Sequence, residues 1–314
     1  MKALVKYEDG PNKVELRDVP EPVCGPEDVK IEVKACGICG TDLHIVQDAF
    51  PWPVMIPLGH EYSGVVIEVG KDTRRLQVGD RVTSYLSGGY ARYVVKKSTQ
   101  RVTKLPDNIS FEEGTLFEPI SVCTHAVFET SGIRPLDLTL VSGPGCIGLG
   151  VLQAVKAAGG RAIVSGTAVD EKRLEVAREL GADHTVNIER DNLEQVVKEV
   201  SHGRGLDLAI ECSGAAAAID AAAGLLKRGK YLLQMGIPGR SITVDMDRIV
   251  NHHIRLFGTG GFDDNAWEKS IELARIGTYN LKKMISHTLP LSQWREAFQL
   301  CADRQGLKVL ITPD

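Results

Sequence analysis

The chain has 314 residues, enough for about two domains that each bury a core. It is 43% hydrophobic and 25% charged, an ordinary globular composition. Its 37 Lys and Arg against 41 Asp and Glu leave a net charge of −4, which carries no basic footprint and predicts neither a nucleic-acid nor a membrane partner.

The N-terminal stretch MKALVKYEDGPNKVELRDV lacks an apolar core followed by a small-residue cleavage site, and no segment is apolar for the length of a bilayer span. Seven scattered cysteines, an odd number, read as reduced thiols rather than a disulfide framework, so a cytoplasmic protein is expected. The first third is β-rich. Residues 29–33 (VKIEV), 64–69 (GVVIEV), 81–83 and 90–95 have strand length and apolar patterning, with Gly25-Pro26, Gly79-Asp80 and Gly88-Gly89 between them. After Glu118-Pro119 the texture changes. Strands are predicted over 138–142, 162–165, 184–187, 206–212, 230–234 and 254–258, and helices over 147–158, 170–180, 193–200, 215–226 and 247–252. Gly159 and Gly181 stand where helices end. Six strands alternating with helices predict a doubly wound parallel sheet in an α/β protein. The tail offers helices near 267–276 and 292–301 and a strand over 308–312.

One loop in this alternation carries chemistry. A strand, then Gly143-Pro144-Gly145-Cys146-Ile147-Gly148, then a helix is the arrangement that binds a dinucleotide. The first glycine makes the tight turn, the second lets the backbone approach a pyrophosphate, and the third packs helix on strand. The helix N-terminus then offers N–H groups to the phosphates. A glycine turn that merely links strand to helix is the bland alternative, and the further strand–helix units argue against it. The second strand ends in Gly166-Thr167 without the acid that would bind a ribose 2′-OH. Asp170 has the spacing of a helix cap to Thr167, and Lys172 and Arg173 lie close enough to meet a 2′-phosphate. These residues favour NADP over NAD. The candidate cofactor contacts are Gly143, Gly145, Ile147, Gly148, Gly166, Thr167 and Arg173.

A second constellation is metal-like. CGICGTDLH at 36–44 precedes Gly59-His60-Glu61 and, later, Glu118-Pro119. No second CxxC exists to build a four-cysteine zinc site, and the pair is not in a thioredoxin-like unit. A catalytic zinc takes three protein ligands and keeps one open position. Cys39, His60 and one carboxylate fit. Glu61 competes with Glu118 for the third place, because strand neighbours such as His60 and Glu61 point to opposite faces unless the chain bends at Gly59. A thiolate and one carboxylate balance Zn²⁺, so one carboxylate at a time is expected. Asp42 is placed to orient His60. Zinc lowers the pKa of a bound alcohol, and Thr41 with His44 offers a hydroxyl and an imidazole to carry the proton away.

These segments together resemble the medium-chain, zinc-dependent alcohol dehydrogenase superfamily, nearest its polyol branch of sorbitol (L-iditol) and threonine dehydrogenases. The motifs are CGICGTDLH (36–44), PLGHEYSGVVIEVG (57–70), VGDRV (78–82), FEPISVCTHAV (117–127), GPGCIGLG (143–150) and GLKVLITP (306–313). The resemblance implies a GroES-like catalytic domain over 1–124 and 266–314, and a Rossmann domain over 125–265. It implies Cys39, His60 and Glu61 as zinc ligands, Glu118 at or beside the metal and its water, and Thr41 and His44 as proton relay. It also implies a homodimer or homotetramer acting on a small alcohol or polyol. Two departures matter. The lobe after VGDRV with four cysteines around a structural zinc is absent, so one zinc per chain is expected. Phe262-Asp263 stand where sorbitol dehydrogenases carry Arg-Tyr, which puts sorbitol itself in doubt. A metal-free quinone or enoyl reductase, or a catalytically weak binding paralogue, is the competing expectation.

Overall fold

The computed structural model describes residues 1–313. Contacts divide the chain into two units, Met1–Glu118 with Leu281–Asp314, and Pro119–Asn280.

The first unit is built on a seven-stranded sheet. Its path runs Ile285–Pro290, Lys308–Thr312, Asp28–Gly37, Glu61–Val69, Arg81–Tyr85 and Val102–Lys104, with Tyr93–Lys97 also paired to Asp28–Gly37. Only the first two strands of this path are parallel to each other. The organiser is Asp28–Gly37. Val29, Ile31 and Val33 alternate into the core, as the VKIEV pattern predicts. Its far end pairs Cys36 with Ile311 and Gly37 with Leu310, which brings the last strand beside the CxxC segment. The expected strand over 90–95 lies instead at Tyr93–Lys97. Tyr90 bonds through its backbone to Leu58 and Leu4, so it belongs to the turn before the strand. The hairpin Lys2–Lys6 with Val14–Asp18 and the short helix Gly40–Val46 have no counterpart among the expected elements.

The second unit is a six-stranded parallel sheet. Its spatial order is His184–Asn187, Arg161–Gly166, Leu138–Ser142, Leu206–Glu211, Leu226–Gln234 and Arg255–Gly258. Numbered along the chain this is 3-2-1-4-5-6, the order of dinucleotide-binding sheets, and the direction of the windings reverses between Leu138–Ser142 and Leu206–Glu211. All six strands and five helices lie within a few residues of the expected positions. The largest difference is Leu226–Gln234, which starts four residues before the expected 230. Leu226 pairs with Leu206, and Lys227 is held by Asp207 at 2.7 Å, so tertiary contacts extend a strand whose first residues read as a polar turn. Gly159 and Gly181 adopt the positive φ of helix ends.

The units meet at 118/119 and 280/281, not at 124/125 and 265/266. The cause is local. The helix Asp264–Arg275 is tied to residues 121–129 by Ser270 to Ser121 (2.9 Å), Asn265 to Glu129 (2.8 Å) and Lys269 to Glu129 (2.6 Å). Among the described residues no helix is long and apolar enough to cross a membrane. All seven cysteines are free thiols. Cys123 is buried as a small hydrophobe, but Cys146, Cys212 and Cys301 are half-buried rather than fully interior.

Candidate metal centre and dinucleotide turn

The metal-like residues come from three segments of the first unit. The strand Asp28–Gly37 ends in a Gly37 whose Cβ would lie 2.2 Å from Glu61 Oε2, so only glycine admits the carboxylate there. Ile38 follows, and Cys39 caps the helix Gly40–Val46 in extended conformation. Gly59 has φ +83°, and a Cβ would meet Tyr90 and Cys36 at 2.8 Å. That bend leaves His60 just outside the strand that Glu61 opens. The two neighbours are therefore not forced to opposite faces. Ligand atoms of Cys39, His60 and Glu61 all lie within 4.8 Å of one another.

Around these three the polar partners are sparse and specific. Asp42 Oδ1 stands 3.7 Å from His60 Nδ1. Asp42 Oδ2 accepts from the Cys39 amide (2.9 Å) and from the Tyr90 hydroxyl (2.8 Å), which fixes the carboxylate. Burial raises the Asp42 pKa against the pull of His60. Burial also works against a charged His60, but the Cys39 sulfur, Asp42 and Glu61 outweigh it and push the imidazole up to about 11. Lys308, buried in the last strand, pairs with Glu61 Oε2 and donates to the Ile38 carbonyl at 3.0 Å. Neither Glu61 oxygen accepts a well-directed hydrogen bond, and His60 Nδ1 and Asp42 Oδ1 have no hydrogen-bond partner. Buried polar atoms left so are costly unless a ligand uses them. A sulfur, an imidazole and a carboxylate converging on one point fit a zinc ion.

Glu118 lies outside that cluster. Burial and the neighbouring Glu61 carboxylate push it up to about 7, with His60 and Lys308 opposing. Thr41 Oγ1 stands 3.5 Å from Cys39 Sγ. His44 is three residues further along the same helix, hence on the same face, and is half-buried. Sequence reasoning missed Lys308 and Tyr90. The signal for the first was a lysine inside the apolar run LKVLIT.

In the second unit the glycine turn has the three expected properties. Gly143 has φ +95°. A Cβ on Gly148 would lie 1.9 Å from the Gly143 carbonyl oxygen. A Cβ on Gly145 would meet nothing within 4 Å, so it would fill only the space that a pyrophosphate approaches. Gly145 caps the helix Cys146–Ala157, on which Ile147 is the second residue. Gly166 ends the second strand, where a Cβ would press on Pro144 and Asp170 at 3.0 Å. Asp170 accepts from the Thr167 amide (3.1 Å) and hydroxyl (2.9 Å), the capping role its spacing predicts. Its other oxygen holds Arg173 at 3.1 Å. Asp263 likewise caps a helix, accepting from the Ala266 amide at 2.8 Å, while Phe262 stacks on Trp267. The buried Glu211, at the end of the fourth strand, accepts from the amides of Ser213 (2.7 Å) and Gly214 (2.8 Å) and shapes the loop beside the turn.

Two family models match the chain. The alcohol dehydrogenase GroES-like domain covers residues 25–107, and the zinc-binding dehydrogenase domain covers 146–275. A sorbitol dehydrogenase of Halalkalibacterium halodurans is 31% identical, over 100% of this chain and 99% of its own length. Among solved structures, 2R,3R-butanediol dehydrogenase of Bacillus subtilis superposes with a TM-score of 0.89 at 27% identity, covering 100% of this chain and 99% of that one. A zinc-binding dehydrogenase of Sinorhizobium meliloti, solved bound to NADP, has the same TM-score at 26% identity and covers 99% of each chain. With both domain models in order along one chain and relatives matched over their whole length, this chain belongs to the zinc-type medium-chain alcohol dehydrogenase superfamily, on its polyol branch.

Proposed function

We propose that this chain transfers hydride between a secondary alcohol or polyol, or the matching ketone, and NAD(P), with one catalytic zinc and no structural one. The observation that carries the proposal is the convergence of Cys39, His60 and Glu61 within 4.8 Å. When bound, zinc supplies Lewis acidity that favours loss of the alcohol proton, and the nicotinamide accepts the hydride. The residues do the rest. Cys39, His60 and Glu61 hold the ion, with Asp42 Oδ1 facing His60 Nδ1 at 3.7 Å, which leaves Nε2 for the metal. Glu118 waits beside Glu61, and its raised pKa lets it carry a proton near neutrality. Thr41 and His44 move the alcohol proton towards solvent.

The turn Gly143–Gly148 binds the dinucleotide phosphates, with Ile147 on the helix that follows. Gly166, Thr167 and Arg173 bind the adenosine ribose and favour NADP, since a side chain at Gly166 is crowded out and Arg173 is held in place by Asp170. Arg173→Ala is expected to weaken NADPH binding at least tenfold and NADH binding by less than twofold, read by fluorescence titration. Assembly as a homodimer or homotetramer is supported by the edge strand Arg255–Gly258, where Leu256 and Phe257 are exposed. A cytoplasmic location accords with seven free thiols.

The test is a panel of secondary alcohols and polyols assayed with NAD⁺ and NADP⁺. Chelator-sensitive turnover of at least one, faster with NADP⁺, is expected. A zinc-free preparation that reduces quinones with full activity, or cofactor binding without turnover of any alcohol, contradicts it.

A further inference from the structure

Four lysines are buried in the first unit: Lys6, Lys30, Lys96 and Lys308. Three have a carboxylate partner, Asp48 for Lys6 (2.6 Å), Glu21 for Lys30 (2.5 Å) and Glu61 for Lys308. Lys96 does not. At 8% exposure it forms no ion pair among the described residues. Its ammonium donates to the Ser87 carbonyl at 2.8 Å and lies 5.9 Å from the Tyr62 ring centre, neither of which neutralises it. Burial alone moves its pKa, down to about 8. A buried cation without a counter-charge is costly, and each of its three peers avoids that cost.

Lys96 and its acceptor Ser87 line a cleft of about 440 Å³. That is within the ~300–1,000 Å³ of small-molecule sites. Much of the remaining wall is apolar, with Val19, Pro20, Pro22, Met55 and Pro57 on it, and Met1 also lines the cleft, its α-ammonium donating to the Val19 carbonyl at 2.8 Å. Proline rings fix their own backbone, so this surface is pre-formed and costs little to order. Two cations, Lys96 and the Met1 α-ammonium, each already donating to a backbone carbonyl, beside an apolar trough do not suit inorganic phosphate, which needs several free donors. They suit a molecule with one negative end and an apolar body.

We propose that this cleft is a binding site for a small carboxylate with an apolar tail, of the chemical class of a medium-chain fatty acid, whose carboxylate pairs with Lys96 Nζ while its tail lies on Val19, Pro20, Pro22, Met55 and Pro57. None of Cys39, His60 and Glu61 lines the cleft, and Lys96 takes no part in the proposed reaction.

The test is calorimetric titration of the zinc-loaded protein with octanoate at neutral pH. Wild type is expected to bind one octanoate saturably per chain. Lys96→Met is expected to bind it at least tenfold more weakly, and neutral octanamide is expected to bind both proteins weakly and equally. At about pH 8.5 octanoate binding to wild type is expected to take up protons, seen as heat that varies with buffer ionisation enthalpy, because the carboxylate raises the pKa of a lysine that is part-neutral there. Lys96→Met should lose that dependence. Absence of saturable octanoate binding to wild type overturns the proposal. So does equal affinity in the two proteins, which would place octanoate elsewhere, at the metal included.

Discussion

Lys308 and Glu61 form an ion pair with almost no access to water, at 3% and 0% side-chain exposure. Two ions in such a place are tolerated because each compensates the other, and removing one leaves a buried charge. Lys308→Met is expected to destabilise the metal-stripped protein by about 3–5 kcal/mol in urea denaturation. The zinc-loaded protein should lose clearly less, because the ion takes over as Glu61's counter-charge. Equal losses with and without zinc would mean that Glu61 does not face the metal. Lys96 gives the opposite sign. Its folded pKa, about 8, is below the 10.5 of the unfolded chain. Below pH 8 both states are protonated and the burial penalty is fully present; between pH 8 and 10.5 the folded state releases its proton first, and stability rises by up to about 3 kcal/mol. Lys96→Met is expected to be more stable than wild type at pH 7, with the gain gone above pH 10.5, read from urea midpoints across pH. At this scale Cys39, His60, Glu61 and Asp42 were legible because their spacing is short and their chemistry unusual. Lys308 and Tyr90 were not, since each reaches the site from a distant stretch that, read alone, is an apolar strand.

At the scale of elements, the glycine turn separates two roles that one sequence motif combines. Gly148 is closed by its own fold, with the Gly143 carbonyl in the way of any Cβ, whereas Gly145 is open. Gly148→Ala is expected to destabilise the protein by roughly 2–4 kcal/mol, by thermal or chemical unfolding. Gly145→Ala should change stability by no more than about 1 kcal/mol, the cost of a poorer helix cap. It should nevertheless weaken NAD(P)H binding at least tenfold, measured by fluorescence titration. A Gly145→Ala protein with unchanged cofactor affinity would remove the turn from the binding site. The strands and helices of the second unit were readable because buried apolar strands alternate with helices of ordinary length, and the first two of these helices end at Gly159 and Gly181. The elements that went unread are short or polar. The hairpin strands KALVK and VELRD are five residues each and carry charged residues, the helix Gly40–Val46 is two turns long, and neither holds together without tertiary contacts.

At the scale of the molecule, two units fold around their own sheets, and each contributes one half of the expected chemistry: a ligand cluster in one, a phosphate-binding turn in the other. The doubly wound sheet and the β-rich unit were both evident from the change in texture near residue 118. The boundaries at 118/119 and 280/281 were not, because they depend on hydrogen bonds between the helix Asp264–Arg275 and residues 121–129 that no local pattern encodes. The central claim is that a single zinc at Cys39, His60 and Glu61 supports oxidation of an alcohol by NAD(P). The most direct measurement is to strip the protein with a chelator and add zinc back stepwise, following NAD(P)H formation from a substrate of the panel. Activity is expected to rise linearly and level off at one zinc per chain in wild type, and to stay near zero in Cys39→Ser. Full activity without added zinc, or a break at two equivalents, would contradict the account.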